Sequence, residues 1–260
     1  MKTFFTLFKK EWLEAWRDKK LIWLPIVMLV LAVSQPLALY YMSDLLEGAG
    51  NLPEGAVIEI PVPSGEEVLV STLSQFNLIG TAIIVLSVMG VISHERNSGA
   101  LSLIMARPVE PSEYIVSKWF AHMLILVLSF GISYALAYYY TVLLFDDVSF
   151  VRWFASFAIY SLWIVFVMSA TLLFGTILKK AGGIAGASLV FVAGLSLVTT
   201  LFPKFMQWSP TYAFSEANQF LMTGDWGETF YPVVVTSSIL IIGLVLLSIF
   251  LFKRFESYTG

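Results

Sequence analysis

His94-Glu95-Arg96-Asn97-Ser98-Gly99-Ala100-Leu101-Ser102-Leu103-Ile104-Met105-Ala106-Arg107-Pro108-Val109-Glu110-Pro111-Ser112-Glu113-Tyr114-Ile115-Val116-Ser117-Lys118 is a charged island of a helical turn or two between two runs too apolar to live in water. No other stretch of the chain places so many charges between two such runs. With its flanks crossing a membrane, this island is what the membrane part shows to its own compartment.

The rest of the chain agrees with that reading. It is 58% hydrophobic and 13% charged, with a mean hydropathy of +0.82, whereas soluble domains carry about a quarter charged residues. The composition is that of an integral membrane protein. The absence of cysteine excludes a disulfide framework, a thiolate metal site and a cysteine nucleophile. A span needs ~20 mostly apolar residues, and six runs qualify: residues 21–42, 73–93, 117–145, 154–178, 184–202 and 231–252. The third is long enough to tilt, or to begin as an interfacial helix near Ser112. Pro25 and Pro36 interrupt the first and predict a kink near Ser34-Gln35-Pro36. The expected fold is an all-α polytopic membrane protein in one transmembrane domain.

Residues 3–20 predict a helix lying on the membrane surface. Phe4, Phe8, Trp12 and Trp16 recur every four residues, with Lys10, Glu14 and Arg17 on the other side. The N-terminal segment, the island, Lys179-Lys180 and Lys253-Arg254 fall on one side of the membrane. They carry 13 of the 15 Lys and Arg against 7 of the 18 acids, a net of +6. The other side holds Arg152 and Lys204 against 11 acids, a net of −9 that completes the chain's −3. The positive-inside rule then predicts that both termini and the island are cytoplasmic.

Outside, residues 43–72 contain six acids and no base. Residues 57–70 alternate in the manner of a short two-stranded element with a Pro-rich turn; a disordered acidic loop is the other reading. Residues 203–230 predict a short re-entrant or interfacial helix, with Ser209-Pro210 as cap and first turn and Thr223-Gly224 as its end. Gly182, Gly186, Ala187 and Gly194 line the fifth span with small residues that permit close helix packing, within this chain or against a second copy.

The central portions of the spans hold no Asp, Glu, Lys, Arg or His, which argues against an ion-coupled carrier or proton pump. Polar uncharged residues remain, among them Ser34, Gln35, Gln75, Asn77, Thr81, Thr199 and Thr200, with Ser129, Ser133, Tyr134 and Ser169. They suit either the lining of a path for an amphipathic substrate or hydrogen bonding to neighbouring helices. His94 and His122 lack the spacing of a metalloprotease helix, so no metal is assigned. There is no G-x-x-x-x-G-K-[ST] loop, so any ATP that drives this protein is bound by another polypeptide.

Glu95-Arg96-Asn97-Ser98-Gly99-Ala100-Leu101, with Leu103, Arg107-Pro108-Val109 and Lys118, resembles the E-x-x-x-G-[TA]-L…L…P-[VI]…K signature between spans two and three of ABC-2 type permeases. The aromatic opening helix, the six spans and the Ser209-Pro210 segment extend the resemblance over nearly the whole chain. Gly99-Ala100 departs mildly from the usual Gly-Thr, and the Lys179–Gly183 turn leaves room for only a minimal second coupling element. The resemblance implies a bacterial cell-membrane subunit whose residues 94–113 form a coupling helix docked in a groove of a separate ATP-binding subunit. Glu95, Arg96, Ser98, Gly99, Leu101, Ile104 and Met105 would make the contact, joined by Glu11 and Glu14. It also implies two copies of that subunit, which carry the ATP and Mg²⁺, a second copy of this chain, and surrounding lipid. This chain would hold no cofactor of its own and bind no nucleic acid. Export is the implied direction; transmission of mechanical force without transport, a scaffold or sensor, and an intramembrane enzyme are the competing readings.

Overall fold

The computed structural model of the chain describes residues 2–42, 62–107 and 109–256. They form helices α1 (Lys2–Arg17), α2 (Lys20–Tyr40), α3 (Gly65–Asn97), α4 (Ala100–Met105), α5 (Pro111–Leu144), α6 (Phe150–Ile177), α7 (Ala181–Leu201), α8 (Tyr212–Thr223) and α9 (Phe230–Glu256). Six of these, α2, α3, α5, α6, α7 and α9, are long and apolar enough to cross a membrane. A chain this apolar must close its backbone hydrogen bonds locally once it leaves water, and helices do so. There is no strand among the described residues.

The bundle is built around α6. Of its most apolar 18 residues 67% are buried, against 28% for α2, 28% for α7 and 22% for α9. The last three therefore turn most of their surface to lipid or to another polypeptide. Phe130 of α5 centres an aromatic core, with ring centroids 5.0 Å from Phe76, 5.4 Å from Tyr134 and 5.2 Å from Tyr160. Several polar groups between helices are matched, though the buried Tyr160 and Ser237 hydroxyls have no partner among the described residues: Tyr134 Oη lies 2.9 Å from Ser156 Oγ, Trp119 Nε1 donates to Ser169 Oγ at 2.8 Å, and Trp163 Nε1 donates to Thr81 Oγ1 at 3.3 Å.

Four local features differ from the pattern of the sequence. Residues 57–70 alternate like strands, but from Gly65 onward the chain is the first turn of α3; residues 57–61 lie outside the described residues. Ser64 and Glu67 form a reciprocal capping box, with Ser64 N–H donating to Glu67 Oε2 at 2.8 Å. The acidic pair Glu66-Glu67 suits the helix N-terminus, and Val68, Leu69 and Leu73 bury completely. The Ser-x-x-Glu signal outweighs the alternation. Second, Pro25 and Pro36, residues that commonly end helices, both lie inside the continuous helix α2. Third, α3 contains one turn of π-helix, Phe76–Gly80. Fourth, Ser209 does not cap α8, whose first residue is Tyr212. Its buried hydroxyl instead meets Thr199 Oγ1 at 3.0 Å and Thr211 Oγ1 at 2.9 Å, tying the end of α7 to the turn before α8.

The island itself is not one helix over 94–113. α3 runs through His94 and ends at Asn97. Gly99 takes φ +76° with open space around its Cβ position, α4 supplies one and a half turns, and Pro111 opens α5. Glycine visits the left-handed region without the steric cost that other residues meet there, so the break falls where the sequence allows it. At 1.5 Å per residue the 34 residues of α5 extend about 51 Å, well beyond the ~30 Å hydrocarbon layer. Its first turns, with Tyr114 and Lys118, lie at the basic end of the bundle.

Candidate functional site

The chemistry of the island gathers at that basic end. α1 packs on α5 through Leu7, Glu11 and Ala15, a stripe at i, i+4 and i+8. A carboxylate in the middle of a buried stripe needs a counter-charge, and α5 supplies it. Lys118, 1% exposed, places Nζ 2.8 Å from Glu11 Oε1 and 2.9 Å from Glu95 Oε1. Lys10 reaches Glu11 at 2.9 Å and Glu14 at 2.8 Å and also pairs with Glu95. The second oxygen of Glu95 accepts from Tyr114 Oη. Tyr114 stacks on Phe252 of α9, ring centroids 4.9 Å apart. α1, the end of α3, the start of α5 and the end of α9 thus meet at one joint.

Glu11, Glu14 and Glu95 bring carboxylate oxygens within 4.8 Å of one another, a spacing that would suit a cation. The ammonium groups of Lys10 and Lys118 already lie between them, so the cation is supplied by the chain itself. Buried ionisable groups are also what an intramembrane enzyme would require. Here both Glu11 and Glu95 are occupied by ammonium partners and hold helices together.

The structure separates the expected docking residues into two groups. Glu11, Glu95, Arg96 and Leu101 are turned into the bundle. Arg96 donates to three carbonyls at the end of α6: NH1 to Leu178 O at 2.9 Å and Gly175 O at 3.3 Å, NH2 to Thr176 O at 3.2 Å. The last carbonyls of a helix have no partner within it and carry its negative dipole end, so a guanidinium from α3 caps α6. Leu101, 4% exposed, enters an apolar cluster with Ile92 of α3, Tyr114 and Ile115 of α5, Leu172 of α6 and Phe252 of α9. Ile104 and Met105 are half-buried against the same cluster. Ser98 and Gly99 face outward, and Glu14 sits at the rim on Lys10. The large apolar residue that α4 does present is Leu103, 72% exposed, flanked by exposed Ser102 and Arg107. The strip Leu101-Ile104-Met105 faces the protein because those three lie on one side of the helix and Leu103 on the other.

The polar set falls into two places. Ser34 Oγ and the Gln75 amide lie 3.2 Å apart across α2 and α3, next to the π turn that carries Asn77, and Thr81 follows it. Thr199 and Thr200 lie at the far end of α7. Thr81, Thr199 and Thr200 each donate to a carbonyl of their own helix, at 2.7, 2.9 and 2.9 Å. Gln35 is half-buried beside Ser34.

Capping by Arg96 makes a checkable difference. Arg96→Met is expected to leave the carbonyls of residues 175–178 without their charged partner and to cost about 1.5–3 kcal/mol, the range for hydrogen bonds to charged groups. Faster cleavage at Lys179-Lys180 by trypsin in detergent, relative to the parent chain, would register the loosened end.

Residues 5–256 match the family described as ABC-2 family transporter protein. The chain is 43% identical over 258 residues to the uncharacterized transmembrane protein YxlG of Bacillus subtilis (strain 168), a similarity spanning 99% of this chain and 100% of that protein. The chain therefore belongs to the ABC-2 transporter family, as a multi-pass permease subunit of the bacterial cell membrane that works with an ATP-binding subunit.

Proposed function

We propose that this permease is an exporter moved by its ATP-binding subunit through α4. The observation that carries the reading is the two-sided placement of that short helix. Leu103 is offered outward to a partner groove, while Leu101 on the opposite side is clamped by residues of α3, α5, α6 and α9. A push on α4 would reach four spans through one side chain, and Glu95 and Arg96, a turn earlier, would carry it to α1 and to the end of α6. An apolar helix face seated in a groove is a recurring docking mode. The net +6 of this end supports its being cytoplasmic, where ATP and Mg²⁺ would be held by the partner.

The sparse cover of α2, α7 and α9 supports pairing with a second copy of this chain, and two copies with two ATP-binding subunits would complete the transporter. Rigid-body switching between two arrangements of the pair would open the path. Ser34, Gln35, Gln75, Asn77 and Thr81 are its proposed polar lining near the π turn, a feature frequent at functional sites.

The natural lack of cysteine gives a clean test. Leu103→Cys is expected to resist a membrane-impermeant maleimide in intact cells and to react after lysis, while Lys204→Cys reacts in intact cells. A bifunctional reagent at position 103 is expected to capture a polypeptide carrying a phosphate-binding loop. Labelling of Leu103→Cys from outside would reverse the orientation and defeat the reading.

A further inference from the structure

A cavity of about 420 Å³ opens beside the ion-paired joint, between α1, the start of α2 and the last turns of α3. Its wall includes Glu14, Asp18, Lys20, Trp23, Leu86 and His122. Glu14 is paired with Lys10 at 2.8 Å, and Glu11, deeper in the wall, with Lys118. Two charges are left over. Lys20, 8% exposed, donates to the Ser87 carbonyl; an ammonium has three donors, and two of them have no partner among the described residues. Lys20 opens α2, whose first turn has no side-chain cap, so the positive end of the helix dipole adds to its charge. Asp18, exposed in the turn between α1 and α2, makes no ion pair among the described residues, with Lys20 or with any other base.

The cleft thus has a buried ammonium with two free donors at the first turn of a span, and at its rim a solvated carboxylate with no ion-pair partner among the described residues. Trp23 and Leu86, 38% and 50% exposed, form apolar walls that continue along the lipid-facing side of α2 at Ile26. An anion alone would satisfy Lys20 and bring negative charge toward Asp18 and Glu14. A cation alone would satisfy the rim and meet Lys20. A zwitterion with its anion on the inner side and its amine on the outer side satisfies both. At a membrane surface that order belongs to a phospholipid, whose phosphate lies next to the glycerol and whose amine lies beyond it.

We propose that this cleft holds the headgroup of a zwitterionic aminophospholipid of the phosphatidylethanolamine type, its phosphate on Lys20 and its ammonium at Asp18 and Glu14. The acyl chains leave along Trp23 and Leu86. Charge-assisted hydrogen bonds at both ends give the headgroup its selectivity, and the apolar walls give the lipid its advantage over a soluble headgroup. The site lies where α1 turns into α2, one wall away from the Lys118 joint, so its occupant would brace the angle between surface helix and first span. The inference depends on the membrane placement of the chain and stands apart from its direction of transport.

The test is native mass spectrometry of the full chain in detergent, titrated separately with phosphatidylethanolamine and phosphatidylglycerol of matched acyl chains. The parent chain is expected to bind the ethanolamine lipid about tenfold more tightly, the worth of one charge-assisted contact. Asp18→Asn, at an exposed position that leaves the fold intact, is expected to bring the two lipids within about twofold, since it removes the discriminating charge. Lys20→Met is expected to weaken both by about tenfold. Equal binding of the two lipids by the parent chain, or an unchanged preference in Asp18→Asn, would overturn the proposal. So would displacement of the lipid by an equal concentration of soluble glycerophosphoethanolamine, because the apolar walls would then contribute nothing.

Discussion

Lys118→Met is expected to be the most damaging single substitution at the basic end of this protein. Lys118 is 1% exposed and is shared by two carboxylates that are themselves buried, Glu11 and Glu95. Its removal leaves Lys10, a half-exposed residue, as the one ammonium for both. Breaking a buried ion pair from one side costs about 3–5 kcal/mol, chiefly because the remaining charge has lost its compensation. A detergent-solubilised sample of Lys118→Met is expected to unfold at clearly lower temperature or denaturant than the parent. Adding Glu11→Leu restores charge balance and makes the buried stripe of α1 apolar from Leu7 through to Ala15. Replacing a buried pair with apolar residues of similar size is often neutral, so the double variant is expected to regain most of the stability. It would still lack the link between α1 and α5, and its ATP-driven activity with the partner subunit is expected to stay depressed. Full recovery of both stability and activity would show that the joint only holds the fold.

Leu103→Asp separates docking from folding in the opposite way. Leu103 is 72% exposed, so the substitution is expected to change stability by no more than about 0.5 kcal/mol, as surface substitutions usually do. A carboxylate at the centre of an apolar contact is expected to cost at least ~2 kcal/mol of binding, the threshold of a hot spot, and thus roughly thirtyfold in affinity for the ATP-binding subunit. Leu101→Asp, two positions past Gly99, would instead place a charge in the cluster of Ile92, Ile115, Leu172 and Phe252 and unfold the end of the bundle. Co-purification and thermal unfolding measured on both variants distinguish the two faces of α4. Loss of the partner in Leu101→Asp but not in Leu103→Asp, with both chains equally stable, would move the docking surface to the other side of the helix.

Sequence and structure contribute different parts of this picture. Hydropathy by itself determined the six spans, because each long apolar helix must satisfy its own backbone within lipid wherever it packs. The distribution of Lys and Arg distinguished the basic end, and Thr223-Gly224 marked the end of α8, since that backbone constraint is local. The family was legible for the same reason: its signature is a run of neighbouring residues between two spans. Which way each residue of that run faces was decided by the tertiary structure alone. Periodicity gives the angle between Leu101 and Leu103 on α4, but the choice of inward side depends on Leu172 and Phe252, far along the chain. Glu11 shows the same limit. The aromatic stripe of α1 dominates its amphipathic pattern, yet the side that packs on α5 is Leu7-Glu11-Ala15, and a carboxylate there is tolerable because Lys118, 107 residues later, meets it. Arg96 reads as a surface charge until the end of α6 is brought to it. A charge can be assigned to the inside of a protein only when its partner is known, and partners distant in sequence come together only through the fold.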